Sequence, residues 1–422
     1  MEILCTRCAG LDVHKKTVKA CVLLHQADGQ VHKEFRTYGT TTQELLALGD
    51  WLEEQHCICV ALEGTGVYWK PVYTLLEGRA DVLVVNAQHI KAVPGRKTDT
   101  KDAEWIATLL QHGLLKASFI PSTPQRELRD LTRYRVRLTQ ERAREVNRVQ
   151  KTLEDTNLKL GDVVSDVMGK ASRLILTAIA DGETDPVRLA AFAVGRVRAD
   201  QQQLEAALTG RVDDHHRFLL REHLTQIGHL EHAIERVTAE IARRFSPPPS
   251  EDETTGQKGT EALAEPSPPV EQEPTSSPSG ALSWAEAGAL LCSIAGISER
   301  AAYGIIAEIG TNMRQFPSDA HLASWAGVSP GNHESAGKRL SGKTRKGNPW
   351  LRCLLIQAAL AAVHQKNSYF AGLYRRIAAR RGGKRAAMAV AHRILVICYH
   401  LLRDRTTYEE RGATFFEETV QI

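Results

Sequence analysis

Residues 9–38 read AGLDVHKKTVKACVLLHQADGQVHKEFRTY, and three β-prone runs lie within them, at 9–13, 17–24 and 31–38. The second and third are joined by Ala27-Asp28-Gly29, a sequence suited to closing a hairpin. A helix is expected next over 41–54, with Thr41 or Thr42 as N-cap and Leu45, Leu48 and Leu52 on one face. Then come a buried strand at 57–62, a helix at 68–77, a strand at 81–86 and helical sequence from Thr100 onward. Three antiparallel strands followed by alternating helix and strand predict an α/β sheet of the ribonuclease H type. Periodicity alone allows several other mixed sheets as well.

The acidic residues narrow the choice. Asp12 falls at the end of the first strand and Glu63 at the end of the fourth, where an α/β sheet forms its ligand crevice. Asp99 and Asp102, in KTDTKDAEWIA, are three apart and share one face at the start of a helix. Four carboxylates gathered there would repel one another unless cations lay among them. Two Mg²⁺ ions about 3.5–4 Å apart, bracketing a phosphodiester, are the expected occupants. Each residue also has a plainer role open to it: Asp12 in a turn, Asp99 as an N-cap, Asp102 as a solvated first-turn acid, Glu63 as a surface acid before Gly64. All four plain roles holding together in this strand order is the weaker account.

The chain has 422 residues, 42% hydrophobic and 25% charged, which excludes a wholly disordered protein and predicts two or three domains. The N-terminal MEILCTRCAGLD has neither basic n-region nor apolar h-region, so no signal peptide is expected. The longest apolar stretch, within 389–402, is interrupted by His392, Arg393 and His400, so no membrane span is expected and the protein is placed in the cytoplasm. Eight cysteines are too dilute for a disulfide framework and should stay reduced. Cys5-x-x-Cys8 with Cys57-x-Cys59 has poor spacing for zinc, and small buried hydrophobes are the preferred reading.

Charge is unevenly spread. Residues 246–280 hold eight of the sixteen prolines and a net charge of −6, the composition of a disordered linker. The overall charge is +4, so the rest of the chain carries +10, a balance suited to nucleic acid. From Gln125 to about Leu160 a long basic helix is expected, with nine Lys/Arg against four Asp/Glu between Arg126 and Lys151. A second helical stretch at 200–245 has the same character, and the pair predicts a helical hairpin or coiled coil carrying dimer contacts. Residues 290–310 place two short apolar helices around Gly296-Ile297-Ser298, either a phosphate-binding helix-hairpin-helix or an αα-hairpin that merely packs.

Residues 326–355, AGVSPGNHESAGKRLSGKTRKGNPWLRCLL, are the most basic loop. Lys338, Arg339, Lys343, Arg345, Lys346 and Arg352 occur with no acid among them, interleaved with Gly337, Gly342 and Gly347. Such a loop lets backbone approach phosphates while cations neutralise them. By composition alone, Ser329, Ser335 and Ser341 are equal candidates for simple hydrogen-bond donors. Farther on, Arg375, Arg376, Arg380, Arg381, Lys384, Arg385 and Arg393 form a second acid-free run before an apolar closing helix at 386–402.

GLDVHKKTVKACVLL, ALEGTGVYW, KTDTKDAEWIATLL and ELRDLTRYRVRLTQERAREVNRVQKTLEDTNLKL closely resemble the IS one-ten family of insertion-sequence transposases, in its IS eleven-eleven branch, related to the Piv-type DNA invertases. The resemblance extends over nearly the whole chain apart from the linker. It implies a RuvC-like DEDD catalytic domain at 1–120, a helical dimerisation region at 121–245 and a transposase domain at 281–422 carrying a serine loop. The family's metal-binding acids fall on Asp12, Glu63, Asp99 and Asp102, with Mg²⁺ as the ion and Mn²⁺ as the alternative. Its nucleophilic serine falls on Ser335 in ESAGK, with Ser341 in LSGK as the second candidate.

The resemblance further implies DNA strand transfer at element ends and target through a covalent phosphoserine. A bridge RNA as guide, and a homodimer assembling into a tetramer, are implied as well. Three other readings remain: a metal-dependent junction nuclease with no covalent step, a Piv-type invertase, and a catalytically inactive nucleic-acid scaffold.

Overall fold

The computed structural model describes residues 3–25, 30–64, 66–86, 102–193, 199–246, 282–331, 333–335 and 338–413. The expected hairpin turn at 27–29, Asp99 and nearly all of the 246–280 linker lie outside the described residues. The chain divides into two units, Met1–Ile120 and Pro121–Ile422.

The first unit is a mixed α/β domain. Its strands are β1 (Arg7–Val13), β2 (Thr17–His25), β3 (Val31–Gly39), β4 (Cys59–Glu63) and β5 (Asp81–Val85), ordered β3-β2-β1-β4-β5. β1, β2 and β3 pair antiparallel, whereas β4 is parallel to both β1 and β5. Side chains alternate across the strands, so the sheet has two buried faces. On one face Leu11, Val22, Leu62 and Val84 pack with Leu45, Leu48 and Leu52 of α1 (Thr42–Glu54) and Val72 and Leu76 of α2 (Trp69–Leu76). Thr41 caps α1, accepting a hydrogen bond from the Glu44 amide. On the other face Cys8, Cys21, Ala61 and Val85 pack against Ala103, Ile106, Ala107 and Leu110 of α3 (Asp102–Gln111).

Cys8, with Cys5 and Cys59 packed beside it, belongs to the cluster on the α3 face, whereas Cys57 packs with the α1 face. The Cys5 thiol donates to Cys59 Sγ at 3.2 Å. Among the described residues no three His, Cys, Asp or Glu side chains are arranged to hold a metal ion. Burial pushes the thiols of Cys8, Cys21 and Cys57 up from 9.0 to about 12. A thiol still protonated in the fold but ionised in the unfolded chain favours unfolding. The stability these thiols contribute is complete below pH 9 and is lost as pH rises from about 9 toward 12. At pH 8 a maleimide should label exposed Cys353 in the native protein and leave Cys8, Cys21 and Cys57 unmodified, as peptide mapping would show.

The second unit is mostly helical. Its spine is α4 (Thr123–Asp155), with Pro124 in its first turn. Three short helices follow: α5 (Leu160–Val163), α6 (Lys170–Ala180) and α7 (Pro186–Ala191). The stretch expected as one helix over 200–245 is two, α8 (Gln201–Ala207) and α9 (Asp214–Phe245). Two contacts explain the break. Gly210 lies against the Thr156 carbonyl, where a Cβ would come within 2.6 Å, and the Arg211 amide bonds that same carbonyl. Asp213 then caps α9. α4 and α9 run antiparallel, joined by Glu127–Arg244 at 2.7 Å, Arg142–Glu231 at 2.8 Å and Glu145–His223 at 3.0 Å. The expected helical hairpin therefore forms within one chain, over a core that includes Val149, Leu153, Ile175, Leu176, Leu220 and Ile227.

The C-terminal part contains α10 (Trp284–Cys292), α11 (Glu299–Ile309), α12 (Asp319–Ala326), α13 (Pro349–Ala362), α14 (Tyr369–Arg381) and α15 (Gly383–Asp404). α15 is longer than the apolar run that announces it, and by length and composition it could cross a membrane. In the fold 61% of its apolar stretch is buried, with Ile394, Leu395 and Cys398 fully enclosed, as in a core helix. Gly296, at φ 87°, turns the chain between α10 and α11. A Cβ there would lie 2.5 Å from the Ala362 amide, so α13 occupies that side of the turn and the αα-hairpin packs.

Candidate functional site

β1 and β4 are paired with Leu11 opposite Leu62, which puts Asp12 and Glu63 in the next row of the parallel ladder. Neighbouring strands lie about 4.8 Å apart, so the two residues stand in adjacent positions at the C-terminal ends of their strands. Leu11 and Leu62 face α1, so by alternation Asp12 and Glu63 face α3. α3 runs opposite to β1. At its far end the Leu4 amide bonds the Gln111 carbonyl, and near its start Gly10 presses against Ala103 and Ala107. Asp102, the first residue of α3, therefore lies at the same end of the sheet as Asp12 and Glu63.

All three acids are half-buried. Asp12 Oδ2 is 3.0 Å from His14 Nε2, and the Asp12 side chain is 16% exposed. His14 went unremarked in the sequence, although its i+2 spacing from Asp12 puts both on one face of an extended chain. Glu104, also on the first turn of α3, is drawn away by Lys33 at 2.6 Å. Hard carboxylate oxygens from adjacent strands are donors of the kind that hard divalent cations take, but among the described residues Asp12, Glu63 and Asp102 are not gathered closely enough to form a three-ligand metal site by themselves. Asp99, the fourth acid, lies outside the described residues.

The close approach of α3 depends on Gly10. A Cβ there would sit 2.1 Å from the Ala103 carbonyl oxygen and 2.4 Å from the Ala107 nitrogen, both backbone atoms that cannot step aside. Gly10→Ala should push the start of α3, with Asp102, off the sheet and lower stability by ~1–3 kcal/mol. Thermal melting that matches wild type would contradict this packing.

The basic loop is organised differently from expectation. Two short strands, β6 (His333–Ser335) and β7 (Lys338–Ser341), pair antiparallel, with Ser335 opposite Lys338, Glu334 opposite Arg339 and His333 opposite Ser341. Ser335 and Lys338 are thus the pair nearest residues 336–337, which lie outside the described residues, while Ser341 pairs at the other end of the ladder. The run GKRLSGK is poor in β-branched residues, and so the strands gave no signal. Gly347 is committed to chain packing, because a Cβ on it would lie 2.3 Å from the Gly327 amide nitrogen. Ser329 and Arg345 border a small cavity of about 200 Å³. Lys343, Arg345 and Lys346 are exposed beyond β7, and Arg375, Arg376, Arg380, Arg381, Lys384 and Arg385 are exposed on α14 and α15.

Asn348 anchors the end of this segment. It caps α13 and donates to Glu308 Oε2 at 2.6 Å. Glu308 is 1% exposed and accepts from two of the Arg133 nitrogens, at 2.7 and 2.8 Å, while Arg129 lies 3.3 Å away. Arg129 and Gln125 also bond the Ala307 carbonyl, which satisfies an acceptor in the last turn of α11. Burial pulls the Arg129 guanidinium down to about 10.

With this geometry in hand, comparison with known proteins places the chain among the transposases. Residues 9–158 match the IS110-type DEDD transposase family, described as "Transposase", and residues 288–375 match "Transposase IS116/IS110/IS902 family". These two stretches cover more than half of the chain, which belongs to the IS110 transposase family. Relatives include "Transposase for insertion sequence element IS1111A" of Coxiella burnetii, 32% identical over 28% of this chain and 33% of its own length. "Probable family 20 transposase" of Pseudomonas aeruginosa is 30% identical over 28% of this chain and 36% of its own length. A Streptomyces coelicolor protein, "Insertion element IS110 uncharacterized 43.6 kDa protein", is 29% identical over 29% and 30%. The chain thus spans about a third of the length of the curated relatives it matches.

Proposed function

We propose that this chain is the transposase of an insertion sequence, cutting and rejoining DNA through a carboxylate site in a RuvC-like, ribonuclease H-type first unit and a serine in the second. The observation that carries this reading is the side-by-side placement of Asp12 and Glu63 at adjacent parallel strand ends, facing the helix that begins with Asp102, in a chain of this family.

Asp12, Glu63, Asp99 and Asp102 would hold Mg²⁺, with Mn²⁺ as the alternative, and the ions would supply Lewis-acid polarisation of the scissile phosphate and charge neutralisation. Ser335 is the nucleophile. Its Oγ forms a bond to phosphorus as the P–O bond to one DNA strand breaks; the hydroxyl proton leaves, and the departing strand's oxygen ends as a hydroxyl. Rejoining reverses the exchange: a hydroxyl of the incoming strand attacks the same phosphorus and releases Ser335, so bond energy is conserved without ATP. Lys338, Arg339, Lys343, Arg345 and Lys346 neutralise backbone phosphates beside the serine. A bridge RNA selects the sites, and dimers pair into a tetramer on two DNAs.

The experiment traps the covalent link. Purified protein, Mg²⁺, nicked element-junction DNA and RNA transcribed from the element's end are resolved on a denaturing gel. A protein–DNA adduct is expected in wild type and in Ser341→Ala and is expected to be absent in Ser335→Ala and Asp102→Asn. Cleavage without adduct, insensitive to Ser335→Ala, would leave a metal-dependent nuclease.

A further inference from the structure

A cavity of about 410 Å³ lies in the second unit between α4, α11 and α13, away from the residues of β6 and β7. Its lining includes Pro349, Trp350 and Leu354 on one side and Arg133, Arg135 and Arg300 on the other. The cations in it are not alike. Arg133 is spoken for, since it forms the two-pronged pair with Glu308. Arg135 is only 4% exposed, and among the described residues no carboxylate or other side chain pairs with it. Arg300, at the rim, likewise has no acidic partner among the described residues and adds a second positive charge beside Arg135. Burial, and then Arg300, pull the Arg135 guanidinium down to about 10, where it still carries its charge near neutral pH.

A buried cation with no counter-charge is expensive to keep. Glu308 is the carboxylate lining the cavity, and Arg129, Arg133 and Asn348 already occupy its oxygens. Beside these cations stands an indole, Trp350, which the guanidinium groups of Arg133 and Arg137 approach at 5.7 and 5.5 Å. An anionic group attached to a flat apolar one satisfies both halves of this lining.

We propose that the cavity binds one unpaired nucleotide of a nucleic-acid strand, its phosphate on Arg135 and Arg300 and its base along Trp350, Pro349 and Leu354. The volume is within the range of small-molecule sites. That the phosphate belongs to a nucleotide rests on the proposed function; that the cavity takes an anion does not. DNA and RNA offer the same phosphate and base, and they differ at the 2′-hydroxyl.

The test uses the full chain and mononucleotides, which do not span the other basic surfaces. Thymidine 5′-monophosphate, uridine 5′-monophosphate, inorganic phosphate and uncharged thymidine are titrated by calorimetry and thermal shift. The two nucleotides are expected to bind, thymidine alone far more weakly. A preference for the uridine or the thymidine nucleotide would assign the strand to RNA or DNA. Arg135→Met should weaken nucleotide binding at least ~10-fold, the loss expected for a charge-assisted hydrogen bond, without lowering the melting temperature of the ligand-free protein. Arg300→Met, at an exposed position, tests the same site without touching the core and should weaken binding several-fold.

Equal binding by wild type and both variants, or no nucleotide binding by wild type, would overturn the proposal. So would an Arg135→Met chain that melts lower yet binds as before, because Arg135 would then be a structural cation. Adduct formation measured on the same variants keeps the two readings apart: wild type forming adducts without binding nucleotide would sink the cavity alone.

Discussion

Asp12→Asn and Glu63→Gln should each lower strand cleavage by at least ~10²–10³-fold while leaving the fold intact. Each exchange keeps the shape of the side chain and removes one negative charge from a pair standing in adjacent strands. Two effects of opposite sign follow. Like charges directly opposed across a ladder are unfavourable, so neutralising either one should raise the melting temperature slightly in metal-free buffer. The same change removes a hard oxygen donor, so the stabilisation that added Mn²⁺ gives wild type should shrink or vanish. Cleavage assays and melting curves with and without Mn²⁺ read both. Activity retained alongside unchanged Mn²⁺ stabilisation would mean that the pair is structural and that the chemistry lies elsewhere.

Glu308→Ala should destabilise the second unit by about 3–5 kcal/mol. The carboxylate is 1% exposed and is the shared partner of Arg129, Arg133 and Asn348. Truncation takes the Glu308 charge away from two part-buried guanidinium groups and releases the Asn348 side chain at the start of α13. Glu308→Gln keeps an acceptor and the volume but loses the charge, so its deficit should be smaller. Urea denaturation compares the three proteins. A loss under ~1 kcal/mol for Glu308→Ala would show that water or a rearranged Arg133 replaces the ion pair at little expense.

The contrast between these two sites explains what could be read in advance. The sheet was legible because alternation in 9–13, 17–24 and 31–38 and the apolar runs at 57–62 and 81–86 are local signals, and Asp12 and Glu63 terminate them. Register was not legible, and it is register that sets Asp12 beside Glu63 rather than one row apart. Glu308 does carry a local signal: a lone carboxylate inside GIIAEIG has to be buried and therefore has to be paired. Arg135 gave a subtler one. It lies seven residues from Leu128 and from Arg142, which lies seven from Val149, so a cation occupies the apolar stripe of α4. Counting net charge along that helix merged it with the solvated arginines. The split of 200–245 was visible in Gly210 and Asp213, but the carbonyl that Gly210 meets belongs to Thr156, and no local pattern contains a contact across fifty residues.

Phe245 ends α9 and Trp284 begins α10, and their rings are 5.6 Å apart, with Tyr303 stacked on Phe245 at 3.7 Å. The last residue of α9 and the first of α10 are thus held together by an aromatic clasp. Closing a flexible chain between two such fixed ends depends only logarithmically on its length, so doubling the number of residues between Phe245 and Trp284 would add just ~0.6 kcal/mol. The clasp makes this the natural seam of the molecule, where a lineage can gain or shed sequence, or a fusion partner can be spliced in, without disturbing either neighbouring helix.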